Sequence, residues 1–355
     1  MRHARAPATR PRRRSASRLG LGLLAAGLTL VACRGDRDDR PPPPDVSGIE
    51  VALDLRRFEV DLARQAADST RDGAAELRAR YPVFFDSVWL ELMVPGRGSE
   101  YDSALVAAFG REPALTRLLD SVLAVYPADA PLPFRDDLAQ ALRYARYYLP
   151  EAPTPRVVTY VSEFALGNFT YGPELLGLGL DFYLGAGFSG YAAGVFPNYI
   201  QRTMNAEHAV PRAVEAWLSA LAGEASGERM LDRMLHNGKL MYARRLLLPH
   251  LPDTAVLGFG ESQLAWLRDN ERHVWAHYLD EELLYDTRPS RIGKHVGPSP
   301  NAPGMPPEAP GGGANWVGMR IVEAYARRHP GTTLTELLAM RDAQALLTAS
   351  RYKPM

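Results

Sequence analysis

The chain has 355 residues, 46% of them hydrophobic and 23% charged, and its 41 basic side chains balance 41 acidic ones. That is apolar material for one large domain or two closely merged ones, without the charge excess of a dedicated nucleic-acid binder. Cys33 is the only cysteine, which excludes an intrachain disulfide or a thiolate metal cluster.

Residues 1–32 read as an export signal. Seven arginines and no acidic residue occupy positions 1–18, and the apolar run LGLGLLAAGLTLVA follows at 19–32. About 14 such residues suit the apolar region of a signal peptide and fall short of the roughly 20 that a membrane span requires. Leu30-Val31-Ala32-Cys33 has the order of a lipobox: a branched apolar residue, a second apolar residue, a small residue, then the cysteine that receives lipid. Arg12-Arg13-Arg14-Ser15 hints at twin-arginine export, but no bulky apolar residue follows where that signal needs one. Sec export is the expectation. Arg34 and Gly35 after the cysteine, with no aspartate to retain the protein in an inner membrane, favour the outer membrane. Without residues 1–32 the chain has 34 basic and 41 acidic side chains, a formal charge of −7. Nucleic acid and an anionic membrane surface are therefore not expected partners. The membrane is reached through the lipid on Cys33.

Residues 33–49 form the lipidated cysteine and a charged, proline-rich tether. RGDRDDRPPPPDV cannot bury apolar surface, and Pro41 to Pro44 keep it extended. About 15 such residues reach at most ~45 Å. Residues 50–355 read as a single globular domain with no internal repeat. Its first third is helical: Leu55, Phe58, Leu62 and Ala66 recur at three- and four-residue steps, as do Leu77, Tyr81, Phe84-Phe85, Val88 and Leu92. Pro113 opens a further helix that ends before Pro127, and another runs over 134–149. Two β-rich stretches at 156–164 (RVVTYVSEF) and 178–184 (LGLDFYL) predict neighbouring strands. Helices are expected again at 199–204, 209–221, 228–248, 262–285, 315–328 and 335–349, with entry signals at Thr333-Leu334-Thr335-Glu336 and Gly260-Glu261-Ser262. The fold class is α+β, predominantly α-helical with a small β-sheet.

Residue patterns that could carry chemistry are few. Gly185 to Gly190 fits G-x-G-x-x-G after an expected strand, but Gly194 and Pro197 interrupt the helix that a dinucleotide site needs, so it reads as a loop. His273 and His277 stand one helical turn apart, and no third ligand is identifiable; Glu271, Asp280, Glu281 and Glu282 nearby read as a solvated face. Asn168-Phe169-Thr170 matches a glycosylation pattern that means little in a bacterial lipoprotein. There is no Gly-x-Ser-x-Gly elbow. Arg143, Tyr144, Arg146, Tyr147 and Tyr148 make an aromatic and basic helix face, and Arg288, Arg291, Lys294 and His295 cluster before the loop 297–313. That loop holds six prolines and is long for a compact domain, as lids and binding segments are. No metal and no cofactor is expected.

Several segments together resemble the gliding-motility lipoprotein GldB family. They are VALDLRRFEVDL (51–62), RYPVFF (80–85), YVSEF (160–164), LGLGLDFYLG (176–185), FPNYIQRTM (196–204), AVPRAVEAW (209–217), the spacing over 230–249, NERHVWAHYLDEELLYDT (270–287), WVGMRIVEAYARRHP (316–330) and LLTASRYKP (346–354). The family in turn is distantly similar to zinc metallopeptidases whose catalytic helix carries H-E-x-x-H. That resemblance implies a degenerate metallopeptidase-like architecture. The matching positions are Ala206-Glu207-His208-Ala209-Val210, so Ala206 and Val210 stand where two histidines would bind zinc, and Glu207 keeps the place of the water-activating glutamate. The third ligand's place falls at Asn237, before Gly238 and beside His236. An alternative site would have to be built from His208 and His236.

The resemblance implies a lipid-anchored, non-catalytic envelope lipoprotein that supports a gliding or secretion-associated machine through protein partners. The alternative is an envelope hydrolase or metallopeptidase-like enzyme with an atypical site near Glu207. A small-ligand module would have only the glycine-rich stretch 172–194 to work with.

Overall fold

Four short strands organise the chain. A computed structural model describes residues 42–67, 73–93, 102–109, 111–191 and 194–355; the lipobox, the export signal and most of the tether lie outside them. Residues 43–355 form one compact unit. Strand β1 (Leu55–Arg57) leads into α1 (Phe58–Ala67), followed by α2 (Gly73–Arg80), a π-helix (Phe84–Met93), α3 (Asp102–Phe109), α4 (Pro113–Val125) and α5 (Arg135–Tyr148). Strands β2 (Arg156–Tyr160), β3 (Phe169–Tyr171) and β4 (Leu175–Gly179) then complete the sheet, and a 3-10 turn covers Leu180–Tyr183. The rest is helical: α6 (Asn198–Gln201), α7 (Ala206–Ala222), α8 (Met230–Leu247), α9 (Asp253–Leu257), α10 (Glu261–Asp269), α11 (Glu271–Asp280), α12 (Pro289–Val296), α13 (Gly313–Arg328), α14 (Leu334–Ala339) and α15 (Ala343–Ser350). The α+β, mostly helical class expected from the sequence is the one observed.

The sheet order is β1-β2-β4-β3, with β1, β2 and β4 parallel and β3 antiparallel to β4. Side chains of a strand alternate between its two faces, and β2 divides accordingly. Val158 and Tyr160 join Phe58, Leu77, Phe84, Phe85 and Trp89 in a core under α1, α2 and the π-helix. Val157 and Val161 join the larger core on the other face, with Trp217 of α7 and Met230, Leu231 and Met234 of α8. Burying each such large apolar side chain stabilises the fold by about 1.5–3 kcal/mol. On β4, Gly177 stands opposite Phe169 of β3, and a Cβ there would fall 2.0 Å from the Phe169 ring. The ring lies over the glycine, so this position admits no side chain.

Several boundaries differ from the sequence reading. The strand expected at 178–184 lies three residues earlier, and Leu180–Tyr183 turn into a 3-10 helix because the Asp181 carboxylate takes backbone N–H bonds from the loop beyond β2. The strand expected to reach 164 ends at Tyr160. Leu55, expected in a helix, belongs to β1, where pairing with Val157 overrides its helical spacing. The helix expected over 262–285 breaks at Asn270 into α10 and α11 and ends before a 3-10 turn. The one expected over 335–349 breaks into α14 and α15, where the Asp342 carboxylate accepts from Ala345 N–H and starts a new helix. The capping box at Thr333 and Glu336 forms, as does the entry at Gly260, whose N–H donates to Gln263 Oε1. Among the described residues no helix is long and apolar enough to cross a membrane.

Candidate functional site

Helix α7 packs beside β3 and β4, and a cleft of about 320 Å³ opens between it and the segments that follow β2 and β4. Gly167 and Asn168 line it from the loop beyond β2, Phe182 and Tyr183 from the 3-10 turn, and Arg212, Glu215 and Ala216 from α7. Ile200, Thr203 and Met204, ahead of α7, close a further side. Buried polar contacts fix these walls. Asp181, fully buried, accepts the N–H groups of Ser162 (3.1 Å) and Phe164 (2.7 Å). Burial pushes its carboxyl up to about 6, against those bonds. They hold Glu163 and Phe164 in the left-handed region, with φ of 53° and 62°. The Tyr126 hydroxyl donates to the Tyr183 carbonyl and the Tyr191 hydroxyl to the Asp181 carbonyl, so two phenols hold the turn from behind.

Charge at the cleft comes from a three-membered group of two guanidiniums and one carboxylate. Glu215 lies 3.1 Å from Arg212 and 3.2 Å from Arg244, a guanidinium that is itself buried. Burial alone would raise the Glu215 carboxyl, but Arg244 and Arg212 outweigh it and hold it below the usual range. Asn168 Nδ2 donates to the Tyr183 hydroxyl at 2.8 Å. Burial raises that phenol further above its ordinary range.

The positions 206–210, compared with H-E-x-x-H in the sequence analysis, lie on the first turns of α7. Ala206 is the first helical residue, Glu207 is exposed, and Val210 is buried in the larger core at 2% exposure. His208 is buried, with Nδ1 2.9 Å from Asn205 Oδ1. That oxygen only accepts, so Nδ1 carries the proton. Burial, with Arg212 and Arg202 adding to it, lowers His208 to about 4, and it is neutral at pH 7. Asn237 lies on α8 and donates to Asn315 Oδ1 of α13 at 3.0 Å. His236 is half-buried among Lys239, Arg341 and Glu224, surroundings separate from those of His208. The two histidines considered together from the sequence share no partner. Among the described residues no group of three His, Cys, Asp or Glu side chains is placed to hold a metal ion.

The remaining sequence candidates have been given other contacts. His277 faces His295 of α12, with ring centroids 6.1 Å apart. On α5, Tyr144 is buried, Arg146 bonds Pro150 O and Thr154, and Tyr147 stays exposed, so that face is divided. Arg288 and Arg291 both bond Asp286. The loop 297–313 folds back on itself through Ala302 N–H to Ala309 O and is tied to α12 by Gly312 N–H to Lys294 O. The G-x-G-x-x-G stretch is a turn after the 3-10 helix, not a helix entry. Asn168, met in the sequence only as part of a glycosylation pattern, lines the cleft. Tyr183, Arg212 and Glu215 were not singled out at all. The charged Asp181 within LGLDFYLG was a usable signal, whereas Arg244 and Glu215 are 29 positions apart and meet only in three dimensions.

These features define a helix-rich α+β domain with a walled cleft beside α7. The family model for the gliding motility protein GldB matches residues 39–354, and the chain belongs to that family. Its family makes it a gliding-motility lipoprotein. No curated protein and no solved structure matches it significantly.

Proposed function

We propose that this protein is exported by Sec, lipidated at Cys33, held at the outer membrane, and acts without catalysis as a binding body in a gliding or secretion-associated envelope machine. The carrying observation is what occupies the positions that match a zinc peptidase. Ala206 and Val210 have no side-chain lone pair to offer a metal, and the Asn237 amide is committed to Asn315. Among the described residues Glu207 has no base or nucleophile bonded to it; its backbone N–H donates to Asn205 Oδ1 at the helix cap. We read the scaffold as related to zinc metallopeptidases, with the ligand positions turned over to packing. Such a likeness carries no activity with it. The lipobox and the family support the anchor and the setting.

Complementation tests this reading. A deletion strain of the native host would carry wild type, Cys33→Ala or Glu207→Gln and be scored for colony spreading and secretion at matched protein levels. Wild type and Glu207→Gln should restore both, and Cys33→Ala neither. Loss of function in Glu207→Gln would overturn the non-catalytic role.

A further inference from the structure

We infer that the cleft beside α7 binds a carboxylate carried on a small apolar body. This goes beyond the envelope role proposed above and does not depend on it. Charge is the first argument. Arg212 and Arg244 both reach Glu215, and both contacts fall on the same oxygen, Oε2, at 3.1 and 3.2 Å. Arg202, in the segment that leads into α7, donates to the Gly258 carbonyl and pairs with no carboxylate among the described residues. Its charge is felt at Arg212 and His208. The His208 ring is neutral, and Asp181 is committed to the loop beyond β2 through Ser162 and Phe164. Three guanidiniums thus share one carboxylate, an excess of two positive charges in a partly enclosed place. Low-dielectric walls concentrate such a field on an incoming anion.

The lining then selects among anions. Arg212 spends Nη1 on Glu215, while its Nε and Nη2 have no partner among the described residues and 43% of the side chain is exposed. These two N–H groups form the guanidinium edge that takes a carboxylate in two parallel hydrogen bonds. Arg212, Glu215 and Ala216 stand at three- and four-residue spacing, so one face of α7 supplies the charge and, at Ala216, the room. Phe182, Ile200 and Met204 add apolar wall for the rest of the ligand. The volume, about 320 Å³, is at the small end for ligand sites. A doubly charged phosphate would be repelled twice as strongly by Glu215, which lies in the same wall.

The test uses full-length lipidated protein in nanodiscs and saturation-transfer NMR at low salt, with empty nanodiscs as blank. Hexanoate stands for a free acid and acetyl-Gly-Leu for the carboxylate end of a chain, and the tighter of the two identifies the source. Saturable transfer to at least one is expected. The corresponding amide, hexanamide or acetyl-Gly-Leu-amide, should bind at least about tenfold more weakly. Acetate, which lacks the apolar body, should also be at least about tenfold weaker. Arg212→Gln should weaken the acid about tenfold and leave the amide unchanged, because the variant keeps the Glu215–Arg244 pair and loses only the fork. No transfer above the blank, an amide as tight as its acid, an unchanged affinity in Arg212→Gln, or displacement of the acid by equimolar inorganic phosphate would each overturn the assignment. The amide comparison needs no variant, so it reads the site whichever substitutions fold. Complementation reads the envelope role separately, so either conclusion can fail alone.

Discussion

Gly238 of α8 and Gly318 of α13 meet backbone to backbone. A Cβ on Gly238 would fall 2.3 Å from the Gly318 carbonyl carbon, and one on Gly318 would fall 2.0 Å from the Met234 carbonyl oxygen. The two helices form the most extensive contact between elements in the molecule. Such an approach leaves no room for a methyl group and no flexible side chain to yield. Gly318→Ala should therefore cost at least about 3 kcal/mol or prevent folding. Gly293→Ala on α12, where a Cβ meets nothing within 4 Å, should be neutral or stabilise by about 0.5–1 kcal/mol. Urea unfolding of the two variants compares them directly, and equal effects would disprove the crossing geometry.

The same crossing decides what surrounds Asn237. Asn237 sits beside the contact and bonds Asn315 across it. Placing metal-binding side chains at the three proposed ligand positions, as Ala206→His, Val210→His and Asn237→Glu, should yield no stoichiometric zinc after dialysis, measured by elemental mass spectrometry. Val210 is in the core, and a glutamate at 237 would face the Asn315 Oδ1, which needs a donor that a carboxylate lacks. Asn237→Glu alone should destabilise by about 1–3 kcal/mol by stranding the Asn315 amide. One bound zinc per triple variant would show that the scaffold still presents these positions to a common point.

Glu163 is exposed with a φ of 53°. A left-handed conformation costs an ordinary L-residue roughly 1–2 kcal/mol and glycine almost nothing. Glu163→Gly should raise the unfolding free energy by up to about 1 kcal/mol, although glycine at most exposed positions lowers it. A loss of stability would mean that the Glu163 side chain makes a contact the fold depends on.

His295 is buried against Tyr278, and its folded-state pKa is lowered to about 4 by burial, with His277 and Arg291 adding to the effect. The unfolded chain therefore binds this proton first, starting near the ordinary value of about 6.5. Stability from the neutral ring is complete above that value and is lost as pH falls toward 4. His295→Phe keeps the ring and removes the titration. Between pH 7 and 4.5 the variant should lose about 2 kcal/mol less than wild type in urea unfolding. Parallel pH profiles would place the sensitivity elsewhere.

How far the sequence reached can be judged element by element. The 3.6-residue spacing of apolar side chains placed α4, α5, α7, α8 and α13 within a few residues of where they lie. The helix entries at Thr333 and Gly260 were legible because a cap is a bond between residues three apart. Strand β2 showed itself through consecutive β-branched and aromatic residues. The three-residue strands β1 and β3 did not, since their stability comes from pairing with β2 and β4 rather than from local preference.

The sequence by itself determined the helical class, the family, and the absence of metal-binding side chains at 206 and 210. Those are properties of residue type and local spacing. Only the tertiary structure decided that Asn237 belongs to a helix crossing, that Asp181 props the loop beyond β2, and that Arg212, Glu215 and Arg244 gather beside Asn168 and Tyr183. The bonds Asp181–Phe164, Glu215–Arg244 and Asn237–Asn315 join groups 17, 29 and 78 positions apart, with no intervening pattern to announce them. Packing of α7 beside β3 and β4 brings the cleft residues together, and burial then makes their bonds matter.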